Sequence, residues 1–440
     1  MEEVSQDRPV VQPPGETQQC PVCDATVPVL RGYTTWCEHC GWNVKPYDPR
    51  PPHNVFEAKY AELGKKYSLQ LMERMRDEKN LRPALTPGLI VAFAVASLVH
   101  LLTLSIALFG VWLLFAGYCV LFILGLFCLV VAWALRPRIP KERKDGIAAR
   151  SEFPALYRLA DQVAEAISAP PVDVIRLDGR YNASFWLVGW RRKRVVALGL
   201  PLFSILTAQE RVALLGHELG HCVNGDITRT FVVRTAIDTL VSWHGLFHPG
   251  SIWRGAGRYQ GGIGGIAPGL ATIPANLFML GIAQIAKFWI FSLVNLTWSD
   301  TQRAEYLADA LGAKAAGTAA TVGALETFYL RDVVNMTIDM VTLNPNSNGE
   351  DLFAELRRCT SQVPEREWER IRRSQGLANS RLDATHPPTA YRLEMLRAHQ
   401  VSQPAVVLSE ADSREIEREL SKVSPDIQKT IVGNRLLVIG

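Results

Sequence analysis

The stretch from Ala84 to Leu135 contains no Asp, Glu, Lys or Arg and is almost wholly apolar. A soluble core hairpin rarely runs this long without a charge, whereas a helix that crosses a bilayer needs about 20 such residues. The run therefore predicts two spans, with a turn near Ser105 to Gly110. Arg74, Arg76, Lys79 and Arg82 precede it, and Arg136, Arg138, Lys141, Arg143 and Lys144 follow it. Basic residues collect on the cytoplasmic side of membrane helices, so both ends of this hairpin are expected to face the cytoplasm. A second apolar region covers 231–296. Phe231 to Trp253 carries Arg234 and Asp238, Gly255 to Gly265 is Gly-rich, and Ile266 to Leu296 is long enough to span although it contains Lys287. Together they predict a second hairpin, at least partly in the membrane, and so a multi-pass integral membrane protein. A net charge of +4 is too small to argue for nucleic acid.

Four of the eight cysteines form two close pairs, Cys20-Pro21-Val22-Cys23 and Cys37-Glu38-His39-Cys40. Strand-like Thr26 to Leu30 and a turn at Arg31-Gly32 lie between them, so two knuckles joined by a hairpin would bring Cys20, Cys23, Cys37 and Cys40 into a tetrahedron. Structural zinc takes that arrangement, and the pattern resembles a zinc ribbon. So small a unit needs a staple, and metal binding would also fold it; the alternative is four reduced thiols without metal. Cys119, Cys128, Cys222 and Cys359 are scattered, unlike a secreted disulfide framework. Free thiols agree with a cytoplasmic ribbon. No basic cluster accompanies it, so its expected partner is a protein of unknown identity. Residues 1–19, with several Pro, Gln and Glu, read as a disordered lead, and 55–82 as a charged amphipathic helix.

His217-Glu218-Leu219-Gly220-His221 lies between a capping box, Thr207-Ala208-Gln209-Glu210, and a stop at Asn224-Gly225. Inside a helix bounded in this way, His217 and His221 are four apart, share one face and can reach one metal. Glu218 leans toward the same open position, where it can take a proton from an attacking water. A catalytic zinc needs a third protein ligand. The metzincin solution requires Gly and then His at the next helical steps, but the chain has Asn224 and Ile227. A glutamate on a later helix is the other solution. Glu305 is the best candidate because Asp309, one turn on, could accept the free ring N–H of a ligand histidine. Glu326 competes but has no paired acid.

These segments resemble the HtpX-like membrane metallopeptidases, which are related to the CAAX prenyl proteases. Asn182-Ala183-Ser184-Phe185 resembles the family's Asn-Ala-Phe segment. His217 to His221 followed by Asn224-Gly225-Asp226 resembles its HExxHxxxGD. Arg303 to Asp309 with Ala310 to Ala313 resembles its Glu-xxx-Asp helix, and Thr385-His386-Pro387-Pro388 with Arg392 its late His-Pro segment. The resemblance covers about 84–398. It implies zinc held by His217, His221 and Glu305, with Glu218 as general base. It also implies a substrate that enters extended, as a strand added beside an edge strand. Arg194 to Gly199 is nominated for that edge, through Val195 and Ala197. Asn182 is expected to hold or contact the substrate, and His386 and Arg392 to lie near the site; an exposed turn histidine is the ordinary alternative for His386.

The expected fold is a mainly α-helical membrane protein: a gluzincin-type metallopeptidase domain with a small β-sheet, plus an N-terminal zinc ribbon. The ribbon covers 20–43, the first membrane hairpin 84–135, the metallopeptidase domain 151–230 and 299–398, the second hairpin 231–296, and a C-terminal extension 399–440. The expected activity is zinc-dependent hydrolysis of peptide bonds in membrane or membrane-proximal proteins, as in protein quality control, with one catalytic and one structural zinc. The expected partners are protein or peptide substrates and the lipid bilayer. The alternatives are a CAAX-type processing protease and a non-enzymatic membrane adaptor acting through its ribbon. Against the adaptor, Glu218 is intact although folding does not need it.

Overall fold

The first long apolar helix begins with a designed start. Thr86 Oγ1 accepts from Leu89 N at 3.1 Å, and Pro87 sits in the first turn, where its missing N–H costs nothing. In the computed structural model, which describes residues 16–45, 55–78, 83, 85–137, 140–141, 143, 145–247, 273–343, 351–377 and 386–439, helix α1 is Val55–Asp77 and α2 is Pro87–Leu114. The turn expected at Ser105 to Gly110 falls later. Nothing there breaks a helix, and α2 continues to Leu114; the chain reverses at Phe115–Tyr118, where Gly117 takes φ +81°. Helix α3, Cys119–Leu135, then returns along α2. Gly110 serves packing instead of a turn. A Cβ on Gly125 would stand 2.7 Å from Gly110 O, so the two helices meet at small residues. Leu101, Phe109, Trp112, Phe127 and Trp133 stand exposed on the outer faces, an apolar surface suited to lipid.

Helix α4 is Pro154–Ile167, α5 the short Leu200–Phe203, α6 Ala208–Val223, α7 Asp226–Phe247 and α8 Ile273–Ala316. Among the described residues, Pro87–Leu114 and Asn276–Ala316 are long and apolar enough to cross a membrane, and Cys119–Leu135 is a shorter apolar helix. The separation expected between a span ending at Leu296 and a polar helix from 299 is absent. Both belong to α8, 44 residues long, because the sequence around Trp298-Ser299-Asp300 holds no Pro or Gly to break it. One rod therefore carries the apolar half and Glu305. The lead as far as residue 15, the Gly-rich stretch 255–265 and Thr385 lie outside the described residues.

The main sheet has the order β3-β4-β6-β5, with β3 Ile147–Ala148, β4 Val174–Asp178, β5 Ala183–Val188 and β6 Lys193–Gly199. This corrects the nominated edge. Val195 pairs with Val174 on one side and Trp186 on the other, and Ala197 with Arg176 and Ser184. Both main chains are used up inside the sheet. The run Val195-Val196-Ala197-Leu198 is the continuous apolar signature of a strand covered on both faces. The free edge beside α6 belongs to β5.

Five helices follow the α8 rod before the C-terminal pair: α9 Thr318–Thr327, α10 Arg331–Leu343, α11 Leu352–Ser361, α12 Glu365–Gly376 and α13 Thr389–Ala398. The C-terminal extension completes the core. Helices α14, Glu410–Ser421, and α15, Ser424–Ile439, bury Ile416, Leu420 and Ile431 in the main cluster. The Glu419 carboxylate accepts from Ala155 N at 2.7 Å and Leu156 N at 3.0 Å, capping the positive end of α4.

At the N-terminus, Thr17–Gln19 pairs antiparallel with Thr26–Pro28 as β1 and β2, so residues expected in the lead are part of the ribbon. The ribbon rests on α12. Arg366 and Arg373 stand 4.9 and 5.0 Å from the Trp36 ring, and Ser374 Oγ donates to Lys45 O at 2.7 Å.

Candidate metal centre

The capping box predicted at Thr207 forms: Thr207 N donates to Glu210 Oε2 at 2.9 Å while the Thr207 side chain accepts from Glu210 N. It fixes the start of α6, and Gly225 at φ +68° follows the helix end at Asn224. His217 and His221 therefore project from one face. Helix α8 crosses that face closely. A Cβ on Gly216 would lie 3.0 Å from Ala315 Cβ and from Gly312 Cα, and one on Gly220 would lie 3.1 Å from Ala308 Cα. This seam of small residues brings Glu305 to the histidines. The sequence reading passed over it, although Gly216 and Gly220, and Ala308 and Gly312, recur at helical spacing. A Gly216→Leu substitution would overpack the seam, a class of change that costs about 1–3 kcal/mol. It is expected to lower the melting temperature and the bound zinc together, read by thermal unfolding and metal analysis.

Glu305 Oε2 lies 3.6 Å from His217 Nε2, and Glu305 Oε1 lies 3.6 Å from His221 Nε2. These are the three groups that converge within 4.8 Å of one another. Tetrahedral zinc with N and O ligands at about 2.0–2.1 Å separates its ligand atoms by roughly 3.3–3.4 Å, so the set fits the ion with small adjustment. The Glu305 carboxylate is buried and faces only cationic or metal-ligating groups, the two histidines, His386 and Arg392, a setting that suits a bound cation. Glu326, the rival third ligand, is instead held by Arg372 at 3.0 Å.

Behind the histidines is a buried polar relay. His217 Nδ1 lies 3.0 Å from Asp309 Oδ1, which leaves Nε2 facing Glu305. Arg392 donates twice to Asp309, Nε at 2.7 Å and Nη2 at 2.6 Å. Asp309 is completely buried. Burial works to raise its carboxyl, but Arg392 and His217 outweigh it and hold it below the usual range. Burial likewise opposes ionisation of Glu305, and His386, His221 and Arg392 hold it well below the ordinary carboxylate value. His386 Nδ1 approaches Glu305 Oε2 to 2.7 Å while its side chain stays 58% exposed. Glu218 is buried beside His217. Asn182 is exposed at the head of β5, and its carbonyl accepts from Gly199 N at 2.9 Å.

The cysteines form the second cluster. Cys20 Sγ lies 3.6 Å from Cys40 Sγ, and Cys23 Sγ 3.6 Å from Cys37 Sγ. Four thiolates around zinc at about 2.3 Å stand roughly 3.8 Å apart, so this set also fits. The four thiols are unequal: hydrogen bonds from the Cys40 and His39 amides lower Cys37 to about 6, whereas Cys23, despite a hydrogen bond from the Ala25 amide, is pushed up to about 12 by burial and its neighbouring thiols, and Cys40 is raised as well.

Residues 151–400, more than half of the chain, match peptidase family M48. The chain belongs to peptidase family M48. Within M48 it is HtpX-like. It is 32% identical over 147 residues to Protease HtpX of Pseudomonas putida (strain W619), covering 33% of this chain and 46% of that protein. It is 28% identical over 220 residues to Protease HtpX of Pseudomonas aeruginosa (strain LESB58), covering 50% of this chain and 63% of that protein. The match to the first of these spans about half the relative's length. Its helices Pro87–Leu114 and Asn276–Ala316, together with this kinship, make the M48 chain a membrane protein.

Proposed function

We propose that this M48 chain is a membrane-bound zinc endopeptidase that hydrolyses peptide bonds of membrane or membrane-proximal proteins at the cytoplasmic face, in protein quality control. The observation that carries the reading is the convergence of His217, His221 and Glu305 with Glu218 beside them and Asp309 and Arg392 behind. Zinc bound there would supply a Lewis acid that lowers the pKa of water and polarises the scissile carbonyl. Glu218 accepts the proton of the attacking water and returns it to the leaving amine. Asp309 holds His217 in the tautomer whose Nε2 is free, and Arg392 keeps Asp309 ionised and in place. The open edge of β5 takes the substrate backbone as an added strand, with Asn182 at its head. His386, exposed and touching Glu305, stands beside the site.

The basic flanks support a first hairpin, 84–135, with both ends cytoplasmic; 231–296 is long enough for a second that returns to the same side and ends within α8. The ribbon zinc is structural and separate. Full-length protein in mild detergent is expected to cleave casein or a membrane-protein substrate. Added 1,10-phenanthroline should abolish cleavage, and zinc in excess of the chelator should restore it. Undiminished cleavage with the metal stripped would sink the reading.

A further inference from the structure

A cavity of about 650 Å³ opens between β5, the chain just after α3, and the first turns of α7. None of the metal-site side chains lines it. Its walls carry six cations and one acid, Asp238. Two of the cations are neutralised locally, Arg176 by Asp145 and Arg180 by Asp178. Lys141, Arg143 and Arg234 have no acidic partner among the described residues.

The height of this cavity follows from contacts between helices. His100 of α2 lines one shallow pocket with Arg136 and Pro137, which end α3. Thr235 Oγ1 lies 3.2 Å from His100 Nε2, so Arg234 stands at the same level. Gly189 N, at the tip of the β5–β6 hairpin, donates to Pro140 O at 2.9 Å, which fixes that tip beside the end of α3. Trp190 at the tip is 89% exposed and Trp133 on α3 is exposed too. Exposed Trp beside Arg at the end of an apolar helix is the pattern of a boundary between hydrocarbon and water, here at the end of α3; α2 runs on past His100 to Pro87, packed on α7 and α8.

We propose that this cavity binds the phosphate headgroup of an anionic phospholipid, with Lys141, Arg143 and Arg234 as its charge partners and Trp190 at the acyl boundary. Headgroup phosphate and a free phosphate ion share the chemistry these cations recognise; continuity with the lipid-facing surfaces of α2 and α3 selects the lipid. The alternative occupant is an acidic stretch of substrate along β5, whose Ser184 to Val188 line the same cavity; the walls carry no metal-site side chain, which favours the lipid. The inference rests on the membrane placement and not on the peptidase reading, so its test does not use activity.

Full-length protein in neutral detergent would be titrated with phosphatidylglycerol, phosphatidylcholine and inorganic phosphate, and bound lipid counted by native mass spectrometry. Phosphatidylglycerol should be retained in preference to phosphatidylcholine. At about 1 kcal/mol per surface cation, each lost charge weakens binding about fivefold, and Lys141→Gln/Arg143→Gln/Arg234→Gln together on the order of a hundredfold. Arg234→Lys should keep the lipid. Lys65→Gln/Lys66→Gln, on the exposed face of α1, should bind like wild type. Equal retention of the two lipids, unchanged binding in the triple variant, phosphate competing at concentrations comparable to lipid, or displacement by a Glu-rich peptide would each overturn the proposal.

Discussion

Glu218→Gln is expected to keep the fold and the full zinc content while lowering kcat/KM by about 10²–10⁴-fold, the span contributed by a positioned general base. The substitution is nearly isosteric, so the buried pocket beside His217 stays filled. The amide cannot take a proton from water, and the converging metal-binding atoms belong to His217, His221 and Glu305, so the loss should fall on kcat with KM little changed. A merely structural glutamate would behave differently, with melting temperature and metal content falling in step with activity. Metal analysis, thermal unfolding and steady-state cleavage on one preparation separate the two. Equal cleavage by wild type and variant would remove Glu218 from the chemistry.

Much of this site was legible in the residues because it is built from local rules. A capping box, a histidine pair four apart and a Gly stop are decided within one helix, and each forms where the spacing placed it. Glu305 with Asp309 was legible for the same reason, since an i, i+4 pair reports one face without knowledge of its neighbour. What was not legible depended on pairing between distant segments. Val195 and Ala197 look like a good strand in isolation, and only the parallel partner β4 shows that their edge is taken. The reversal after α2 was misplaced because Gly110 looks like punctuation until Gly125 is seen opposite it. Helix α14 has little apolar character of its own, and the apolar residues of α15 are spread around it without a single face. Their contribution is Ile416, Leu420 and Ile431 placed on a core made by others, with Glu419 meeting an amide pair more than 260 positions earlier in the chain.

The relay behind the histidines leads to the second large effect. Glu305→Ala is expected to abolish cleavage and release the catalytic zinc, with the ribbon zinc kept. Two imidazoles on one helix face do not complete the three-ligand set of a catalytic zinc. Alanine also leaves His386 without the carboxylate 2.7 Å away, and it removes a negative charge facing Arg392 at 3.6 Å. Arg392 keeps its bidentate grip on Asp309, so the buried pair survives and the helices stay packed; the variant should unfold near the wild-type temperature measured without the catalytic zinc. That comparison distinguishes a ligand from a structural prop. Asp309→Asn tests the layer behind it, where loss of an outer partner of a ligand histidine costs about 10–100-fold in metal affinity or activity. It also takes the bidentate carboxylate from buried Arg392, leaving Glu305 at 3.6 Å as its remaining acid, so stability should fall as well. If Glu305→Ala retained the same zinc content as wild type, the third ligand would lie elsewhere, and the close seam of α6 on α8 would be packing alone.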